Sequence, residues 1–140
     1  MTDEDIIQSR IEYIKKAEER LSKLAQLSNE DFLADGDAFA ITEHHIRIAL
    51  ESLLDIGYHI CVSNDLGKPE DNTEILNMLG DHKILTEDFA EQIKGMGDYR
   101  NRLVYMYNEV TGDELYNLLQ NKLSDFKEFR KQISEYLENN

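Results

Sequence analysis

Residues 99–107 contain two arginines, an asparagine and three tyrosines in one short stretch that follows a pair of glycines. We expect this stretch to be helical. A helical period of 3.6 residues then places Arg100, Leu103 and Tyr107 on one face. Such a dense polar and aromatic cluster between apolar segments is unlike core sequence. We therefore treat it as the candidate functional site.

Two interpretations of this cluster follow from its chemistry. In the functional one, Arg100 and Arg102 bind a phosphate or a transition state, while Asn101 and a tyrosine hydroxyl donate further hydrogen bonds. In the structural one, the cluster lies on a partly exposed helix whose arginines pair with the surplus carboxylates of the chain. The residue types alone leave both interpretations open.

The composition predicts one cytoplasmic helical domain spanning residues 1–140. The sequence has 15 basic and 29 acidic residues, a net charge of −14, which argues against general coating of nucleic acid but allows a local basic site. The single cysteine, Cys61, cannot form an intramolecular disulfide. No apolar run reaches the length of about 18 residues that a membrane span needs, so we expect no membrane association.

Apolar residues recur three or four positions apart along most of the chain, which predicts an all-α bundle of five to six helices. The central helix is apolar on two faces, so we expect a neighbour on each side, and a partner subunit is a candidate for the second neighbour. The predicted helices cover about residues 3–27, 37–63, a short segment through 75–79, another after Thr86, 99–108, and a final one from Leu115 to Leu137.

The sequence contains no pattern typical of a metal site, so we predict no metal and no cofactor. The acidic loop at residues 31–37 lacks the ligands that a calcium-binding loop requires at its third and twelfth positions. His44 and His45 are adjacent on the central helix, so their side chains point about 100° apart. No HExxH or CxxC spacing is present.

Residues 100–107, RNRLVYMY, resemble the Arg-x4-His-x-Tyr signature of HepT-like proteins in the HEPN superfamily. The similarity extends to residues 49–57 on the central helix, to the break at residues 68–70 and to the final amphipathic helix. It covers most of the chain after the first helix, and the order of the elements agrees. The resemblance implies a helical bundle that dimerises and places the motifs of two subunits across a cleft.

The resemblance also implies a function. Many HepT-like proteins are toxins that cleave RNA without a metal, and their antitoxin is a minimal nucleotidyltransferase that adds AMP to the motif tyrosine. By this resemblance Arg100 and Asn101 are catalytic candidates, Arg102 is a phosphate-binding candidate, and Tyr107 is the adenylylation candidate.

Tyr105 occupies the position at which the family has histidine. An imidazole, with a pKa near ~6.5, exchanges protons at neutral pH, whereas a phenol, near ~10, stays protonated and is a poor base. Loss of one general acid–base group typically costs a factor on the order of 10²–10⁴ in rate. Two functions therefore remain: a ribonuclease toxin in which Tyr105 takes part in proton transfer, and a catalytically degenerate dimer that binds a nucleotide or a nucleotidyltransferase without cleaving RNA.

Overall fold

A computed structural model describes residues 2–140, which form eight α-helices and one short 3-10 helix. The 3-10 helix covers Tyr107–Glu109. None of the helices in the described range has the length and apolar character needed to cross a bilayer. The α-helices are α1 (Asp3–Leu24), α2 (Asn29–Ala34), α3 (Gly36–Ser63), α4 (Asn72–Asp81), α5 (Glu87–Ile93), α6 (Met96–Tyr105), α7 (Gly112–Asn121) and α8 (Leu123–Glu138).

The central helix α3 organises the bundle. Helix α1 packs along one side of it, and α4, α6, α2 and α7 cover much of the rest. Ile46, Leu53 and Ile56 of α3 are fully buried, as the two apolar faces of this helix predict. One continuous core connects all the α-helices, with Phe126 and Phe129 of α8 among its largest buried side chains.

The predicted all-α class is confirmed, but the predicted count of five to six helices is too low. The connection after α1 contains α2, because the Ser28 hydroxyl accepts a hydrogen bond from the Asp31 amide and Phe32 is buried in the core. The final segment is two helices rather than one. The two helices meet at Lys122, which caps the end of α7 and the start of α8, with φ of −120° and ψ of −5°.

The predicted helix over residues 99–108 ends earlier than expected, at Tyr105. Met106 leaves the helical region with φ of −132° and ψ of 37°. The Arg102 Nη2 donates a hydrogen bond of 3.3 Å to the Glu109 carbonyl, which helps to fold the following 3-10 turn back onto α6. Tyr107 therefore does not lie on the helical face that carries Arg100. The prediction that the two residues share one face of a helix is wrong.

A close approach between helices sets the position of α6. At Gly97 an added Cβ would lie 2.8 Å from the Asn72 Cβ and 2.9 Å from the Asn72 carbonyl carbon. Because part of this obstacle is backbone at the start of α4, a larger side chain cannot be accommodated by a rotamer change. Gly97 thus allows α6 to lie against α4.

Replacing Gly97 with alanine is expected to lower the free energy of unfolding by about 1–3 kcal/mol, the usual cost of overpacking. Gly95→Ala provides a matched control, since nothing lies within 4 Å of a Cβ added at Gly95. Urea denaturation followed by circular dichroism measures both variants. Equal stability of the two variants would show that the contact between α6 and α4 is not tight.

Candidate functional site

Helix α6 presents Arg100 toward the central helix rather than toward open solvent. The Arg100 Nη2 lies 3.7 Å from the Glu51 Oε1 of α3, and the Arg100 side chain is 28% exposed. Arg47, one turn before Glu51, places its Nη1 3.8 Å from the same carboxylate oxygen. Two guanidinium groups from different helices therefore converge on a single carboxylate.

These three charged side chains line a shallow, open depression between α3 and α6. Tyr107 also lines it, so the 3-10 turn returns this tyrosine to the neighbourhood of Arg100 although the two do not share a helical face. An open surface with two arginines is suited to binding an anionic group such as phosphate. The lining residues are Glu43, Arg47, Glu51, Arg100, Leu103, Val104 and Tyr107.

Asn101 holds Arg100 in place from within α6. Its Oδ1 accepts hydrogen bonds from the Arg100 Nη1, at 3.2 Å, and from the Asn72 Nδ2 of α4, at 3.3 Å. This second contact depends on the close approach that Gly97 allows, one turn earlier in α6. Asn101 thus connects the arginine to the bundle, and its predicted catalytic role remains a prediction.

Arg102 points away from the depression and joins α6 to α7. Its Nη1 donates to the Glu114 Oε2, which also accepts a 2.7 Å hydrogen bond from the Tyr99 hydroxyl. The structural interpretation of the cluster, with arginine paired to a carboxylate, therefore describes the position of Arg102. Its predicted role in phosphate binding remains a prediction.

Burial and the neighbouring Glu114 carboxylate raise the pKa of Tyr99 well above its usual value. At Glu114 itself burial acts to raise the pKa, but hydrogen bonds from Arg102 and Tyr99 outweigh it, so the pKa of Glu114 is lowered. Both effects favour a neutral tyrosine and an ionised glutamate. The link between α6 and α7 is therefore fully formed at neutral pH.

Because the pKa of Glu114 is lower in the folded chain than in the unfolded one, its contribution to stability is present above the unfolded pKa near 4.5 and disappears as the pH falls through the folded value. We expect Glu114→Gln to lower the free energy of unfolding at pH 7 and to differ less from wild type at pH 3. Denaturant titrations at the two pH values measure this. If Glu114→Gln differs from wild type in stability by the same amount at pH 7 and at pH 3, the ionised Glu114 carboxylate is not the source of the stabilisation.

Tyr105 and Tyr107 are strongly exposed, at 74% and 61%. Among the described residues, neither hydroxyl has a hydrogen-bond partner that would activate it as a base. Tyr105 closes α6, and Met106 beside it is also exposed. Both tyrosine side chains are therefore accessible from solvent.

The histidines do not add a second site. His44 is exposed, with its Nδ1 3.5 Å from the Arg47 Nη2, whereas desolvation and the charges of His44 and Arg20 lower the pKa of the half-buried His45. Across residues 2–140, no three His, Cys, Asp or Glu side chains converge in a way that would hold a metal ion.

Arg47 and Glu51 are not among the candidate site residues predicted from the sequence. Their signal was present, because both are charged and lie four residues apart on a helix that is otherwise mostly apolar. The sequence does not reveal that Arg100 packs against them, since α3 and α6 are far apart along the chain.

The sequence matches a family of proteins described as "Ribonuclease HepT-like" over residues 11–133. A tRNA nuclease HepT of Aphanizomenon flos-aquae is 30% identical over 94% of this chain and 90% of its own length. An mRNA nuclease HepT of Shewanella oneidensis is 25% identical over 89% of this chain and 93% of its own length.

The fold is also similar to a solved structure of a tri-AMPylated HEPN toxin of Shewanella oneidensis in complex with an MNT antitoxin. The TM-score is 0.84 and the sequence identity is 25%. The match covers 96% of this chain and 99% of the other. The similarity therefore extends over nearly the whole bundle, including the helices that carry the depression.

Proposed function

This chain belongs to the HepT-like ribonuclease family, and from that premise we propose that it is a metal-independent endoribonuclease toxin of a toxin–antitoxin pair. The observation that carries the proposal is the convergence of Arg47 and Arg100 on one open depression. Two guanidinium groups there bind the phosphodiester and stabilise the charge that develops on its oxygens. RNA enters as substrate, and no cofactor takes part.

The proposed reaction uses the ribose 2′-hydroxyl of the RNA as the nucleophile. Arg100, the first residue of the motif, binds the phosphate, and Asn101 keeps its guanidinium in position through the 3.2 Å hydrogen bond. Arg102 adds positive charge beside the site from its position on α6, where it pairs with Glu114 of α7, and Tyr105 supplies a hydroxyl for proton transfer.

We further propose that the functional unit is a homodimer of one-domain subunits, located in the cytoplasm. Met106, which follows α6 within the motif, has an exposed apolar side chain that a second copy would cover. A dimer formed there places two motif segments across one cleft. A mass measured by light scattering that stays at the monomer value at micromolar protein would contradict this.

The partner in this proposal is a minimal nucleotidyltransferase antitoxin. It would transfer AMP to Tyr107, whose hydroxyl is accessible and lies beside the depression. The added phosphate would be close to Arg47 and Arg100 and would compete with RNA for them. Modification and catalysis are thus coupled through the same charges.

A second function is favoured by one observation, the exposed and unactivated Tyr105 at the position where the family has histidine. In this alternative the dimer is catalytically degenerate. It keeps the cleft and binds a nucleotide or the nucleotidyltransferase, but it does not cleave RNA.

Incubation of purified wild type and Tyr105→His with total tRNA and mRNA distinguishes the two functions. The ribonuclease proposal expects cleavage by the wild type. If the wild type leaves all RNA intact and Tyr105→His cleaves it, the degenerate function is supported and the ribonuclease proposal fails. Circular dichroism verifies that both proteins are folded.

A further inference from the structure

The proposed reaction needs a group that removes the proton from the 2′-hydroxyl, and the structure offers a carboxylate for this step. Phenols are protonated at neutral pH and are poor bases, whereas carboxyl groups are ionised and can accept a proton. Among the described residues, the Tyr105 hydroxyl has no hydrogen-bond partner that would activate it as a base. Glu51 is the carboxylate that approaches Arg100.

The contacts of Glu51 leave it able to accept a proton. Its Oε1 lies 3.7 Å from Arg100 and 3.8 Å from Arg47, both longer than a hydrogen bond. The two arginines thus hold the carboxylate by charge attraction without occupying its lone pairs. The Glu51 side chain is 34% exposed, which gives substrate and solvent access to it.

Four ionisable or charged groups line the depression around this carboxylate. They are the guanidinium groups of Arg47 and Arg100, the Glu43 carboxylate and the Tyr107 hydroxyl. When a phosphodiester binds the two arginines, its ribose comes close to the carboxylate between them. The base and the phosphate ligands are therefore parts of one depression.

We propose that Glu51 is a catalytic residue whose carboxylate accepts the proton of the attacking ribose 2′-hydroxyl. This assignment rests on the proposed ribonuclease function. It gives Tyr105 the complementary role of proton donor, which suits a phenol at neutral pH.

The step is balanced in atoms and charge. The 2′-O–H bond breaks as its proton moves to Glu51, and the 2′-oxygen forms a bond to phosphorus. The bond between phosphorus and the 5′-oxygen breaks, and the leaving oxygen takes a proton from the Tyr105 hydroxyl. The products are a 2′,3′-cyclic phosphate and a 5′-hydroxyl. Glu51 releases its proton to solvent, from which the exposed Tyr105 is reprotonated.

The test compares wild type with Glu51→Gln and with Glu51→Ala in the presence and absence of formate, using a short RNA under single-turnover conditions. Both variants are expected to cleave on the order of 10²–10⁴-fold more slowly, the usual cost of losing a general base. Formate, a small carboxylate, is expected to restore part of the rate of Glu51→Ala. A purely positional role in orienting Arg100 would give no such rescue.

Asp55→Asn is the matched control. Asp55 lies one turn after Glu51 on α3 and pairs with Arg10 at 3.2 Å, outside the depression. Asp55→Asn therefore removes one negative charge, as Glu51→Gln does, and breaks one ion pair, but away from the proposed site. It is expected to cleave RNA at the wild-type rate.

The outcomes separate this inference from the proposed function. If the wild type does not cleave RNA, the proposed function fails, and this inference fails with it. If the wild type cleaves and Glu51→Gln is equally fast, only the role of Glu51 is overturned. A slow Glu51→Ala that formate does not rescue also overturns its role as a base.

Discussion

Arg100→Ala is expected to slow RNA cleavage by a factor on the order of 10²–10³, the cost of removing one group that stabilises transition-state charge. Arg100 contacts Asn101 and approaches Glu51, so the variant removes the phosphate ligand at the centre of the depression. The remaining Arg47 retains part of the attraction for RNA. Single-turnover cleavage of a defined RNA measures the effect on the chemical step.

Arg10→Ala serves as the control for the lost charge. Arg10 pairs with Asp55 and lies over the Tyr13 ring, away from the depression. The chain has a net charge of −14, and Arg100→Ala and Arg10→Ala each remove one positive charge from it. A similar loss of cleavage in both variants would show that the overall charge matters, and not the position of Arg100.

Tyr107→Phe is expected to abolish adenylylation by the nucleotidyltransferase partner, because the phenylalanine ring has no hydroxyl to receive AMP. The exposed position of Tyr107 beside Arg47 and Arg100 makes its hydroxyl the proposed acceptor. Intact-mass spectrometry after incubation with the partner and ATP measures the addition of AMP to the protein.

Tyr105→Phe is the control in the same experiment, since Tyr105 is two residues away and even more exposed. It is expected to be modified as the wild type is. If Tyr107→Phe still gains AMP and Tyr105→Phe does not, the acceptor has been assigned to the wrong tyrosine.

Local signals in the sequence account for much of the fold. Thr2 and Asp5 form a capping box at the start of α1, and Thr111 accepts a hydrogen bond from the Glu114 amide at the start of α7, both at residue types that favour helix starts. The predictions from the sequence are wrong where tertiary contacts determine whether a helix forms or where it ends. Helix α2 exists because Phe32 reaches the core, and α6 ends early while Arg102 holds the chain that follows it.

The candidate site was only partly predictable for the same reason. Residues 99–107 directed attention to Arg100, but they did not reveal that Arg102 is paired with Glu114 on another helix. Nor did they reveal Arg47 and Glu51, which reach the site only because α3 and α6 pack together. Long-range packing assigns different surroundings to two arginines that look equivalent in the sequence.

The most direct test of the central claim is cleavage of RNA by the purified wild-type protein in the presence of EDTA, with the ends of the products identified. We predict that the wild type cleaves the RNA and leaves a 2′,3′-cyclic phosphate and a 5′-hydroxyl, as expected when the ribose hydroxyl is the nucleophile. RNA that remains intact under these conditions, or fragments that carry a 5′-phosphate, would contradict the account.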